Sequence, residues 1–252
     1  MNEDLQQHDP RSSAVAHPRL DELIRRARER AGTRAMTVGL VYPCDNLAVD
    51  AAAQIVAAGI ARPILIGPAQ SNARAAGAAG VDVAQIEIID TPDAGPEAAL
   101  RATTLAREGV LGALMKGALH TDELMSAVVN KASGLRGDSR ISHAFVFDLP
   151  RYPKLLALAD CVVNIAPNLQ TKRDIVGNAI ALLQRIGIAQ PKVGIVAAVE
   201  TVNPAIPATV DAQALAQMAR QGAWPGALVE GPLGFDNAIS AEAARIKKID
   251  WQ

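Results

Sequence analysis

Apolar residues recur at Leu20, Leu23, Ile24, Ala27 and Ala31, the spacing of an amphipathic helix, with Arg25, Arg26, Arg28 and Arg30 on its other faces. A β-rich run follows from Met36 to Tyr42 and is closed by Pro43. Asp45 or Asn46 suits the cap of a helix whose apolar face holds Leu47, Ala51, Ala52, Ile55 and Val56, with Gly59 as its stop. The same beat continues. It predicts a strand from Pro63 to Ile66, a helix near Gln70 to Ala76, a strand from Ile86 to Asp90, a helix from Pro96 to Arg107 and a strand from Leu111 to Met115. Strands alternating with helices in this way imply a parallel sheet covered on both faces.

The stretch Ala132 to Ser142 mixes glycine, serine and arginine between periodic segments, which marks a loop and a domain boundary. A second series follows, with strands at Ala144 to Asp148 and Cys161 to Ile165. Asn168 is placed to cap a helix through Ile175, Ala179, Leu182, Leu183 and Ile186, which Gly187 stops. A strand from Val193 to Val199, a helix capped by Asp211, a strand from Gly226 to Glu230 and a helix capped by Ser240 complete the reading. The expected class is α/β in two lobes, residues 19–136 and 137–252, behind a flexible tail at 1–18.

Composition narrows the functions. Hydrophobic residues make up 50% of the 252 and aromatics only 3%, so the core must be built from Ala, Val, Ile and Leu. A net charge of -1 gives no global field for a polyanion, which argues against nucleic acid. No apolar run approaches the ~20 residues needed to span a bilayer, and the N-terminus lacks a signal-peptide core, so the expected location is cytoplasmic and away from membranes. Cys44 and Cys161 show no metal-ligand or disulfide spacing, and no metal site is expected.

Three polar loops after strands are the places for chemistry, because open α/β sheets bind ligands at the carboxyl ends of their strands. The first is Lys116-Gly117-Ala118-Leu119-His120-Thr121, leading into a helix whose N-terminal amides suit phosphate. Gly117 would let a ligand approach the backbone, and Lys116 would add a charge; the same residue types equally suit a Thr121 that only caps its helix and a solvated Lys116. The second is Glu200-Thr201-Val202-Asn203-Pro204, and the third runs from Glu230 to Asn237 with Gly231, Pro232 and Asp236 inside it. Either would also serve as an ordinary turn. Lys131, Arg136, Arg140, Arg151 and Lys154 form a basic run that suits the phosphates of a cofactor or a solvated face.

Taken together, LMKGALHTDELMSAVVN (114–130), GDSRISHAFVFDLP (137–150), DCVVNIAPNLQTKRDIVGNA (160–179), VAAVETVNPAIPATVDAQALAQMA (196–219) and EGPLGFDNAISAEAARIK (230–247) resemble the phosphate acetyltransferase and phosphate butyryltransferase family, closer to its butyryltransferase-like branch. The resemblance implies lobes that are each a mostly parallel sheet flanked by helices, with the active site in the cleft between them, as in isocitrate and isopropylmalate dehydrogenases. It implies a homodimer that converts acyl-CoA and phosphate into acyl phosphate and CoA for an acetyl or butyryl group, with coenzyme A as substrate and no permanently bound cofactor. Carried over by position, Lys116, Gly117, His120 and Thr121 would bind phosphate, and Arg136 and Arg140 would meet CoA or phosphate. Asn203 and Asp236 would be catalytic, while Gly231, Pro232 and Asn237 would line the acyl site. The family's chains continue beyond the segment matching Arg245 to Ile249, so this chain is expected to stop before the whole active site is written. That leaves open a shortened, non-catalytic paralogue that binds CoA or acyl-CoA.

Overall fold

The computed structural model describes residues 16–249. They form two compact units, one of residues 16–136 with Phe147–Leu156, the other of Gly137–Val146 with residues 157–249. The chain therefore crosses after Arg136, Val146 and Leu156, where the sequence reading draws one boundary. The expected tail lies outside the described residues through position 15, and Pro18 already opens the first helix.

In the first unit, strands β1 (Thr37–Val41), β2 (Arg62–Ile66), β3 (Glu87–Ile89) and β4 (Ala113–Lys116) make one parallel sheet in the order β3-β2-β1-β4. Successive strand residues point to opposite faces. Val41, Ile64 and Ile66 accordingly pack with Ala98, Ala99, Ala102 and Leu105, whereas Leu40 and Leu65 pack with Ala52 and Ile86. The flanking helices are α1 (Pro18–Arg34), α2 (Asn46–Ala58), α3 (Ala69–Ala79), α4 (Gly95–Arg107) and α5 (Thr121–Val128). Alanine on the buried helix faces lets backbones approach a sheet rich in Ile, Leu and Val. Asp148, itself almost wholly buried, holds the start of α1 by accepting hydrogen bonds from the amide of Arg19 at 2.7 Å and its guanidinium at 2.6 Å.

Strands β5 (Phe145–Phe147) and β6 (Leu156–Leu158) pair with each other where the chain passes between units. The second unit is organised on α6 (Leu169–Arg185), β7 (Lys192–Val196), α7 (Pro207–Arg220), β8 (Leu228–Leu233), α8 (Phe235–Ile239) and α9 (Ala241–Ile246). β7 and β8 are parallel, and Val229 packs with Val176, Ile180 and Leu215 from α6 and α7. Asn168 and Ser240 cap α6 and α9 as expected, accepting from the amides of Thr171 and Ala243.

Four local expectations are corrected. Cys161 to Ile165 is no strand, because the Asp160 carboxylate accepts from the amides of Val162 and Val163 and folds the chain into a turn. Asp211 is no cap, because Pro207 starts α7 one turn earlier and Asp211 instead pairs with Lys172 at 2.7 Å. β7 stops at Val196, while β8 runs through Gly231 and Pro232 to Leu233. The register shifts between Gly194 and Val196, opposite the residue that has no N–H to give. Thr121 is the first residue of α5, and His120 is the cap.

Candidate functional sites at the strand ends

In the first unit, β1 lies between β2 and β4, and the chain leaves in opposite senses on its two sides, the arrangement that opens a crevice at the carboxyl ends. The sheet ladder continues past β1, with the amide of Tyr42 on the carbonyl of Ile66 and the amides of Gly117 and Ala118 on the carbonyls of Val41 and Tyr42, both at 2.8 Å. A Cβ at Gly117 would lie 2.5 Å from the Tyr42 oxygen and 2.7 Å from the Val41 oxygen. The strand-end backbone itself thus demands glycine here.

Lys116 is exposed, but it is not a free charge. Its ammonium donates to the carbonyls of Gly117 at 3.1 Å and Leu119 at 2.9 Å, so it braces its own loop and keeps one N–H for another acceptor. The Glu123 carboxylate accepts from the His120 amide at 2.8 Å and closes the start of α5. Asp122 and Glu123 already place negative charge in the first turn, which leaves Lys116 as the cation of the loop.

Behind this loop Tyr42 has φ 54°, in the left-handed region, and its hydroxyl donates to Asp93 at 2.7 Å. That hydrogen bond, with burial and the Asp93 charge, pushes the phenol up to about 12. Burial, reinforced by Asp93 and Asp45, pushes the neighbouring Cys44 thiol up to about 11, so it is no nucleophile at neutral pH.

The second unit gathers a different set. Asn237 is fully buried at the start of α8 and donates to the Glu200 carboxylate at 2.8 Å. The same Glu200 oxygen accepts from Lys247 at 2.6 Å, and Lys247 also donates to Asp236 at 3.0 Å. Hydrogen bonds from Lys247 hold both carboxyls below the usual carboxylate range and raise the ammonium. Gly234 makes the approach possible, since a Cβ there would sit 2.8 Å from the Glu200 and Asp236 oxygens.

Asn203 is committed locally. Its side chain accepts from the Ala205 amide at 2.9 Å, and its amide and carbonyl both meet the buried Thr209 hydroxyl. Gly231 sits in β8 against Ile195, where a Cβ would come within 2.8 Å of the Ile195 Cβ, and Pro232 beside it is buried. Arg140 is fixed through its backbone, the amide on Asp174 and the carbonyl on Asn178, with its side chain exposed. Arg136 is also exposed. Arg140 belongs to the second unit, and Lys131, Arg136, Arg151 and Lys154 to the first.

Tyr42, Asp93 and Lys247 lie outside the loops that the sequence marks for chemistry, and Glu200 heads the second of those loops without a role assigned to it. Glu200 and Lys247 stand 47 positions apart, and nothing local to Lys247 announces the pairing. Tyr42 had a weak signal, an aromatic before proline at the end of the central strand. Among the described residues, no three His, Cys, Asp or Glu side chains group as metal ligands, and no helix is long and apolar enough to cross a membrane.

Parallel sheets flanked by helices, with polar loops collected at strand ends, define an α/β protein built to hold a small polar ligand. The family model described as phosphate acetyl/butaryl transferase matches residues 95–251. The phosphate acetyltransferase of Rhizobium meliloti is 46% identical over 230 residues, covering 91% of this chain and 72% of that protein. The phosphate butyryltransferase of Clostridium acetobutylicum is 38% identical over 212 residues, covering 84% and 70%. A solved branched-chain phosphotransacylase from Enterococcus faecalis superposes with a TM-score of 0.72 at 26% identity, covering 86% of this chain and 75% of that one. A phosphotransacetylase from Streptococcus pyogenes shares the fold at a TM-score of 0.73 and 20% identity, covering 92% and 78%. The chain belongs to the phosphate acetyl/butyryl transferase family. These identities do not single out the butyryltransferase-like branch.

Proposed function

We propose that the protein transfers a short acyl group between coenzyme A and inorganic phosphate. The observation that carries this is the identity of 46% with a phosphate acetyltransferase over 91% of the chain. A phosphate oxygen attacks the thioester carbonyl, the C–S bond breaks, and CoA departs as a thiolate that takes up a proton. The protein supplies position and charge stabilisation.

In this reading the Lys116–Thr121 loop meets phosphate with the remaining N–H of Lys116, the side chains of His120 and Thr121, and the first amides of α5. The exposed guanidinium groups of Arg136 and Arg140 take phosphate oxygens of either substrate. Asp236 and Asn203 serve the reacting centre, and Gly231, Pro232 and Asn237 shape the acyl site. Lobes at 19–136 and 137–252, a cytoplasmic location and a homodimer belong to the same proposal. Thiol release from acetyl-, propionyl- and butyryl-CoA, compared as kcat/KM with phosphate varied, tests it. A clear preference among the three sets the acyl group, whereas release that ignores phosphate concentration would remove the acyltransfer reading.

A further inference from the structure

We propose that Tyr42 is a positioning residue for the Lys116–Thr121 loop, acting through the carbonyl that its left-handed backbone turns toward Ala118 and through a phenol anchored on Asp93. The inference rests on the reading of that loop as the phosphate site.

A bulky residue with positive φ is a conformational outlier. It persists only where its surroundings over-determine it, and such residues collect at functional sites. Here the surroundings are visible. Gly67 from the β2 side and Gly117 from the β4 side approach the turn so closely that a Cβ on them would lie 3.3 Å from the Tyr42 Cα and 2.5 Å from its oxygen. The Tyr42 carbonyl accepts from the amides of Ala118 at 2.8 Å and Cys44 at 2.9 Å, so one strained residue fixes both the loop after β4 and the entry to α2. The ring is held from the other end, where Asp93 takes the phenol on one oxygen and faces the Ser71 hydroxyl with the other at 3.5 Å, and Arg74 donates to Ser71 at 2.9 Å. Ala118 follows Gly117, whose carbonyl receives the Lys116 ammonium. A movement of the Tyr42 carbonyl therefore reaches the cation of the loop through two covalently adjacent residues.

The test compares wild type, Tyr42→Phe, Asp93→Ala and the double variant in three measurements: phosphate titration by calorimetry, amide exchange at Ala118, and thermal stability. The expected result is phosphate binding weakened about 3- to 10-fold by each single change, the range for losing one ordinary hydrogen bond net of solvent exchange. The double variant should lose no more than either single one, because both break the same contact. Ala118 should exchange faster by a similar factor, acyl-CoA binding should hold, and the melting temperature should stay within a few degrees. Wild type that binds phosphate, with variants that match it in affinity and in Ala118 exchange, overturns the role of Tyr42 and leaves the phosphate reading intact. Additive losses, or equal losses in acyl-CoA binding, likewise make Tyr42 a general structural residue. Wild type that binds no phosphate removes the reading of the loop, and the inference with it.

Discussion

Replacing Gly117 by alanine puts the strand-end geometry to a quantitative test. The added Cβ would stand 2.5 and 2.7 Å from two backbone oxygens. An ordinary carbon to oxygen contact is roughly 3.3 Å, so the loop must retreat by about 0.6 to 0.8 Å. Neither oxygen belongs to a rotatable side chain, so no rotamer change relieves the overlap. Such overpacking costs about 1 to 3 kcal/mol. The retreat also lengthens the two 2.8 Å bonds from the amides of Gly117 and Ala118. Losing one of them adds about 1 kcal/mol. Against this, alanine reduces the freedom of the unfolded chain, worth about 0.5 kcal/mol. The net expectation is a loss of about 1.5 to 3.5 kcal/mol, or roughly 3 to 14 °C in melting temperature for a domain of this size. Gly77→Ala is the matched control, since nothing lies within 4 Å of its would-be Cβ and it sits inside α3. There the same chemical change should stabilise by about 0.5 to 1 kcal/mol. Thermal and urea unfolding of both variants decide the matter, and a Gly117→Ala protein as stable as wild type refutes the reasoning.

Asn168→Ala removes the acceptor for the Thr171 amide at the start of α6 and should cost about 1 kcal/mol in urea unfolding. Burial acts to raise the Asp160 carboxyl, but hydrogen bonds from the amides of Val162, Val163 and His143 and from the Asn164 side chain outweigh it and hold the group at about 2. An unfolded aspartate titrates near 3.9. Asp160 therefore contributes stability that is complete above roughly pH 4 and lost as pH falls toward 2, and Asp160→Asn should flatten the stability profile in that window. Lys247→Met should let the Glu200 and Asp236 carboxyls titrate higher, back toward ordinary values, as read by carbon NMR; unmoved titrations would mean that Lys247 does not hold them.

The alternation of strands and helices was legible because the two inner strands of the first sheet are covered, and Val41, Ile64, Leu65 and Ile66 write that burial as short apolar runs. Caps with their own chemistry, such as Asn168 and Ser240, were legible too. The failures have one physical source, interactions made across the chain or against local propensity. Asp160 turned an apolar stretch into a loop by collecting amides, and Lys172 drew Asp211 away from a capping role. At the sites, residue type identified which loops carry polar groups but not what those groups face. Asn237 is buried with its amide donating to the partly exposed Glu200 carboxylate, and Lys116 curls back because Gly117 and Leu119 present carbonyls. Tyr42 was hidden because positive φ has no signature in an aromatic residue.

The central claim, acyl transfer between CoA and phosphate, is tested most directly by stoichiometry. Acetyl-CoA, or the chain length that proves best, is incubated with the protein and phosphate while thiol and acyl phosphate are measured together. The account predicts one acyl phosphate per thiol released, saturation in both substrates, and reversal when CoA is added to the acyl phosphate. Thiol released without acyl phosphate, or no release in the presence of both substrates, contradicts it.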